Sequence, residues 1–349
     1  MMEHLKLPTN EILEKAKEIG FELAGFVSLS HWEKKGKIPW MNYWKEWLQK
    51  DFHGNMKYME NPKRKNPKEI YPWIKSVLCL GLVYATTPPP ETKMTDRGRV
   101  SCYAYGQVDY HSFLKEKMEI LAKWIYEQFG AKYALATDSF PLLEKPLAYL
   151  AGLGWIGKNT CLIHSKVGSF FFLGEILLDK DWTITPAIPH PNRCGTCTAC
   201  IEACPTGALA APYQLDSRKC ISYLTIEYKG IIPHEISRKM GNWVFGCDIC
   251  QEVCPWNRKK KETSFSVFEA HPRWQKPLPQ LARSFFHGGF QKTFQNTPIL
   301  RARRGGFLRN LLIAMENGKI LDKELFQWAI EDSHPVVSFH GRRALENTQ

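Results

Sequence analysis

The sequence predicts an α/β domain over residues 1–185, a cysteine-rich loop segment over 186–260 and a helical region over 261–349. Three observations carry that division. Helix-periodic stretches alternate with short apolar runs as far as Leu178. Two nested cysteine runs, each ending in Cys-Pro, fill the interval from Cys194 to Pro255. Beyond them, short amphipathic stripes follow one another to the end of the chain.

Taken in order, Thr9 to Ile19 reads as a helix, with Leu13, Ala16 and Ile19 on one face and Thr9 or Asn10 as the N-cap. Phe21 to Leu29 alternates as a strand. His53 to Pro72 is basic and rich in proline, and reads as a loop over a binding face. Ser76 to Ala85 is continuously apolar and therefore a buried strand. Thr86 to Arg99 contains three consecutive prolines and must be a loop. Tyr110 to Phe129 is a long amphipathic helix, Tyr133 to Thr137 a short strand and Leu142 to Ala151 a second helix. A glycine turn leads to the apolar strand Ser169 to Leu178. The cysteine segment carries only short helices, and Phe265 to Phe294 is irregular. From Pro298 to Glu346 the helices are short: Leu308, Leu311, Leu312 and Met315 make one stripe, Leu325, Trp328 and Ala329 another, and Pro335 opens the last at its first turn. Such a stack resembles a small HEAT-like array of two or three units.

The first cysteine run is Cys194, Cys197, Cys200 and Cys204; the second is Cys220, then Cys247, Cys250 and Cys254. Three thiolates on short turns can face one iron–sulfur cubane, while the cysteine before the proline ligates the other cluster. One 4Fe–4S cluster is therefore expected on Cys194, Cys197, Cys200 and Cys254, and a second on Cys220, Cys247, Cys250 and Cys204, making the segment ferredoxin-like. Zinc is the rival for paired C-x-x-C units, but zinc sites rarely use this doubled spacing. A disulfide scaffold is unnecessary in a chain of 349 residues that can bury its own core. Cys79, Cys102 and Cys161 read as packed small hydrophobes.

No apolar run is long enough to cross a membrane, and the first residues form no signal peptide, so a reducing cytoplasm is expected. The net charge of +12 points to an anionic partner. Basic residues gather at Lys63 to Lys65, at Arg258 to Lys261, and at Arg301, Arg303, Arg304 and Arg309. Each group alone suits a solvated face; three together favour a phosphate-bearing partner, with nucleic acid the commonest.

Gly152 to Lys158 matches G-x-G-x-x-G and nearly matches a P-loop. A helix precedes it where the dinucleotide fingerprint needs a strand, and Asn159 stands where a P-loop needs a hydroxyl. Gly152 or Gly154 reads as a left-handed helix cap. The glycines would also admit a flat cofactor, with Lys158 and Asn159 as donors to its polar edge. Asp138 follows a strand and precedes a helix, which suits an N-cap. It equally suits an acid at a sheet edge, kept protonated if apolar surroundings raise its pKa. Glu144 and Asp179 stand behind it as candidates, and His53, His111 and His164 are too scattered for a metal triad.

Together these segments resemble the epoxyqueuosine reductases, cobalamin-dependent enzymes that complete queuosine in tRNA. The resemblance covers residues 10–345 and rests on Phe52 to Tyr58, Tyr103-Ala104 with Asp109 to His111, Thr137-Asp138, Gly152 to Asn159 and Phe172 to Leu177. It continues through Arg193 to Cys197, Ala203 to Gly207, Cys220 to Glu227 and Phe245 to Asn257. Cys220 to Glu227 is the most distinctive part, since generic ferredoxins lack it. One stretch departs: between Tyr103 and His111 the family usually has an arginine after Ala104 and one residue fewer.

The resemblance implies an α/β cobalamin-binding domain, reductive-dehalogenase-like, with the corrin held between it and the ferredoxin-like segment. It implies base-off cobalamin without a protein histidine below the cobalt, and no Asp-x-His-x-x-Gly motif occurs. Cobalamin contacts are expected from Tyr58, Tyr103, Asp138, Lys158, Asn159, His164, Ser222 and Asp248, with Ser222 to Glu227 facing corrin and substrate. The implied substrate is epoxyqueuosine in a tRNA anticodon loop, gripped partly by the HEAT-like region. Asp138 is then the proton donor, electrons come from an external low-potential donor, and the enzyme is a cytoplasmic monomer. The rivals are a reductive dehalogenase, which would carry a twin-arginine leader, and a two-cluster electron-transfer protein, which would leave the α/β domain and Asp138 idle.

Overall fold

The computed structural model describes residues 8–34, 39–87, 94–183 and 187–348. Four strands form the main sheet: β1 (Leu23–Ser28), β2 (Ser76–Val83), β3 (Tyr133–Ala136) and β4 (Phe171–Leu178). Their order is β1-β2-β4-β3, and every neighbouring pair is antiparallel. Alternation of helix and strand does not by itself make a sheet parallel: the connections here are long enough to return the chain in either direction. β2 is buried at every residue and β4 at all but Leu173, because both lie centrally with both faces covered.

Helix α1 (Pro8–Ile19) buries Ile12 and Ala16, while α2 (Pro39–Gln49), where the sequence predicts no element, buries Met41 and Trp44. Helix α3 spans Tyr110–Phe129, and Asp109 caps it by accepting the backbone N–H of His111. Helix α4 (Glu144–Leu150) is shorter than expected, so Asp138 lies several residues ahead of it and Leu143 takes the N-cap position. Successive residues of β4 face opposite sides of the sheet. A Cβ added at Gly174 would meet Met118 and Leu114 of α3, and Glu175 interacts with Glu144 of α4. The two helices therefore cover opposite faces. The stretch from His53 to Pro72 is built of 3₁₀ turns at Lys57–Glu60, Pro62–Lys65 and Pro67–Glu69, the last two capped by the Asn61 and Asn66 side chains.

Within the cysteine segment, α5 (Ile221–Ile226) starts at Cys220, and the strand Trp243–Phe245 pairs in parallel with Arg99–Val100. The C-terminal region stacks α6 (Arg303–Asn317), α7 (Lys323–Glu331) and α8 (Pro335–Thr348). The stripe Leu308, Leu311, Leu312 and Met315 is buried as expected, but α6 is buried nearly all round, since the cysteine segment covers its other side.

The basic groups divide once folded. Arg64 is buried, donating to the Tyr58 carbonyl at 3.0 Å and the Leu142 carbonyl at 2.9 Å. Arg304 pairs with Asp332 at 2.6 Å. Arg309 is fully buried and donates to the carbonyls of Leu224, Tyr228 and Gly230 at 2.5, 2.8 and 2.8 Å. Asn310 adds bonds to the Thr225 and Val244 carbonyls. Arg64 and Arg309 are thus internal ties, not phosphate contacts, whereas Arg301 and Arg303 remain exposed. Replacing Arg309 with Met strands three carbonyls without their donor, and stability is expected to fall by about 3 kcal/mol. A thermal midpoint equal to wild type in Arg309→Met would contradict this role.

Candidate cluster and active site

The cysteines gather around two separate cavities. Cys194, Cys197, Cys200 and Cys254 line one of about 220 Å³. Cys204, Cys220, Cys247 and Cys250 line another of about 250 Å³, and Cys161 joins them there beside the Cys250 thiol, so it is not the packed small hydrophobe expected from the sequence. The grouping is crossed because the helical turns Ala199–Glu202 and Ile249–Glu252 each end just before a cysteine that the following proline directs toward the neighbouring cavity. Burial tends to raise the Cys204 thiol, but backbone N–H groups of Leu209 and Ala208 and the Thr206 hydroxyl outweigh it and hold the pKa below its usual value. Burial instead raises the Cys200, Cys220, Cys247 and Cys254 thiols, so thiolate at those positions depends on bound metal. Among the described residues, no three His, Cys, Asp or Glu side chains are grouped to hold a single metal ion. A cubane fits better, since it occupies the space between its four sulfurs. Trp155, packed with Cys254, also keeps a buried indole N–H without a partner among the described residues, a donor suited to a cluster sulfur.

A third cavity, of about 580 Å³, is lined by Tyr58, Tyr103, His111, Asp138, Glu227 and Arg301 among others. Tyr103 lines this cavity and the second cysteine cavity alike, and α5 spans the same two, with Ser222 at one and Ile226 at the other. Asp138 has φ +26°, a strained value for a residue other than glycine. Its Oδ2 lies 3.0 Å from His111 Nε2, and His111 Nδ1 lies 2.6 Å from Asp109 Oδ1. Burial opposes charge on His111, but the two carboxylates outweigh it and raise the imidazole from 6.5 to about 9.

The expectation of a raised pKa at Asp138 is corrected here. Burial does push its carboxyl up, but the hydrogen bond and charge of His111 and the charge of Arg301 prevail, holding it below the ordinary range. The available proton therefore rests on His111. Burial raises the Tyr110 and Tyr103 phenols far above their usual range, with the Asp138 charge adding to it. Arg301 donates to Glu227 at 2.5 Å and to the Tyr58 hydroxyl at 3.4 Å, with its guanidinium 5.7 Å from the Tyr58 ring.

The other predicted residues separate. Ser222 and Asp248 line the second cysteine cavity. Asp248 accepts from the Ser101 hydroxyl and the Cys102 N–H, and burial raises it to about 6. Asn159 stands between the two cysteine cavities, donating to the Cys250 carbonyl at 3.2 Å. Lys158 is at the first cavity only, donating to the carbonyls of Gly195 and Cys197 at 2.8 and 2.9 Å. His164 lines none of these three cavities; its ring is 5.4 Å from that of His190, and burial lowers it to about 4. Gly152 is left-handed as expected, whereas a Cβ at Gly154 would sit 2.3 Å from the Ile163 carbonyl, so that glycine serves a tight hairpin. In the departing stretch, the buried Tyr105 offers its carbonyl to Trp274 Nε1 at 2.9 Å and turns to the interior. His111, Glu227 and Glu144 were not legible as partners, because spacing along the chain gives no sign of their meeting. Asp179 lies apart, accepting from the Lys132 N–H at the sheet's far end.

Comparison with known proteins agrees with this layout. A family profile described as a 4Fe-4S double cluster binding domain matches residues 193–257. Another, described as "Epoxyqueuosine reductase QueG, DUF1730", matches residues 64–139. An epoxyqueuosine reductase of Pseudomonas aeruginosa is 39% identical over 317 residues, covering 88% of this chain and 84% of that protein. The solved epoxyqueuosine reductase of Bacillus subtilis, with its catalytic aspartate loop swung out of the active site, superposes with a TM-score of 0.83 at 29% identity. That match covers 97% of this chain and 90% of the other. A further structure, an epoxyqueuosine reductase with an epoxyqueuosine-modified tRNA-Tyr stem loop, gives a TM-score of 0.79 at 29% identity, covering 97% and 89% of the two chains. The chain belongs to the epoxyqueuosine reductase family.

Proposed function

We propose that this chain reduces the epoxide of epoxyqueuosine in a tRNA anticodon loop, leaving the alkene of queuosine. The observation that carries the reading is the charged His111–Asp138 pair in a cavity that meets, at Tyr103, the cavity of the second cysteine group. Converting an epoxide to an alkene takes two electrons and two protons and releases water. The two 4Fe–4S clusters would be held by the crossed cysteine groups. The first, whose Cys197 is exposed, would take electrons from an external low-potential donor. Cobalamin would supply the electron pair that opens the epoxide. Tyr103, which lines both the larger cavity and that of the second cysteine group, would help to hold it together with Ser222 and Asp248.

The chain's own part is the proton and the substrate. His111 Nε2 stores a proton 3.0 Å from Asp138 Oδ2, and Asp138 passes it to the oxygen that leaves. Asp109 fixes the imidazole from the other side. Arg301, ion-paired with Glu227 at the cavity wall, is placed to meet a phosphate or ribose of the incoming nucleotide. Domain limits at 185 and 260 suit these roles, with the helical region contributing Arg301 and Arg303 to tRNA binding. No helix among the described residues is long and apolar enough to cross a membrane. We place the enzyme in the cytoplasm as a monomer.

Asp138→Asn cannot relay the proton and is expected to lose at least about a hundredfold in turnover while binding the tRNA stem loop as wild type does; unimpaired turnover would remove Asp138 from the role. The raised His111 keeps its proton from below 6.5 up to about 9. Its stabilising charge is thus fully present below 6.5, and both it and turnover should fall as pH rises through about 9. His111→Gln should abolish that high-pH limb; an unchanged limb would assign it to another group. Crossed ligation is tested by iron content. Cys194→Ala combined with Cys254→Ala should leave about four of eight irons, since both cysteines serve one cluster. Loss of nearly all iron would favour uncrossed ligation.

A further inference from the structure

We propose that Cys161 is a reserve ligand of the second cluster, able to take the place of Cys250 on its iron. The proposal rests on the reading of Cys204, Cys220, Cys247 and Cys250 as a 4Fe–4S site and adds a fifth thiol to it. A cubane takes one cysteine at each of its four irons. The first cavity is lined by four cysteines, whereas the second is lined by five. One thiol of the second cavity is therefore left over once a cluster is bound there. Cys79 and Cys102, the other cysteines outside the two runs, line neither cavity. Cys79 is enclosed in β2, and the Cys102 thiol lies 3.5 Å from the Thr86 hydroxyl.

The backbone holds Cys161 at this cavity by several bonds. It ends the turn of a hairpin whose strands, Trp155–Ile156 and Leu162–Ile163, pair antiparallel. Within the turn, Gly157 N–H donates to the Cys161 carbonyl at 2.8 Å, and Thr160 N–H to the Gly157 carbonyl at 2.9 Å. Thr160 has φ +65°, a value that a β-branched residue holds only where its surroundings impose it. Lys145 of α4 donates to the Thr160 carbonyl at 3.0 Å. The buried Asn159 ties this turn to the second cysteine run. Its Oδ1 accepts the Cys161 N–H at 3.2 Å, and its Nδ2 donates to the Cys250 carbonyl at 3.2 Å. One side-chain amide thus bridges the backbones of Cys161 and Cys250, and their side chains line the same cavity side by side. A thiol held beside a ligand sulfur needs only a side-chain rotation to reach the iron which that ligand leaves. In the exchange the iron–Cys250 bond breaks and an iron–Cys161 bond forms. The Cys161 proton passes to the Cys250 sulfur, and no iron changes oxidation state. The site thereby keeps its cluster when Cys250 is lost as a ligand.

The test is iron content of the reconstituted full chain, with electron paramagnetic resonance of its reduced clusters. Cys250→Ala should keep about eight irons; adding Cys161→Ala should lower that to about seven or fewer, because one iron of the second cubane then has no cysteine. Cys161→Ala alone should keep about eight, since Cys250 suffices. The same comparison in Cys250→Ser, which preserves side-chain size, should give a wild-type spectrum that changes once Cys161→Ala is added. Equal iron and equal spectra with and without Cys161 in the Cys250 variants, or loss of iron in Cys161→Ala alone, would overturn the proposal. Iron is read without turnover, and Cys250 belongs to the second group whether or not ligation is crossed. Failure of the proposed reaction or of crossed ligation therefore leaves this test standing.

Discussion

Because each cysteine run keeps three thiols for one cavity and gives its last to the other, neither cavity is complete without both runs. The chain between the runs is therefore fixed at both ends. Cys220 is both a member of the second group and the N-cap of α5, so whatever the second cavity holds also sets where α5 lies. That short helix carries Ser222 at the second cavity and delivers Ile226 and Glu227 to the larger one. Arg309 and Asn310 of α6 grip its carbonyls from the other side. Through these contacts the C-terminal helices, which look in sequence like an appended region, become part of the site's frame.

Charge at the site is arranged on the same frame. A lone carboxyl in a half-closed cavity would tend to protonate, yet Asp138 is kept ionised by an imidazolium that is itself held between two carboxylates. Acid character is thus moved one bond back, to a group whose pKa lies above neutrality. Arg301 adds positive charge to the lining of the same cavity while remaining paired with Glu227, so the cavity holds this cation without an isolated charge.

The features most legible in the sequence were those written in local spacing. The cysteine runs announce their geometry because ligand turns are short, and the Tyr110–Phe129 helix has the expected bounds because its periodicity and its Asp109 cap are local. What escaped depends on distant neighbours. His111 and Asp138 are 27 residues apart, so neither the imidazolium nor the lowered carboxyl could be read from either segment. Arg64 and Arg309 counted toward basic groups, but carbonyls that only the fold brings together turn them inward. Glu175 sits inside an apolar run and gave no sign of facing a second acid. The direction of the strands escaped as well, because long connections leave it to tertiary packing.

In the proposed reaction, electrons from the crossed cysteine groups and a proton from His111 and Asp138 converge on one epoxide. The most direct measurement is a single turnover of the reconstituted wild-type chain, reduced beforehand, on an anticodon stem loop carrying epoxyqueuosine. The account predicts a nucleoside lighter by one oxygen, formed as the reduced clusters reoxidise. A nucleoside of unchanged mass beside clusters that stay reduced would contradict it.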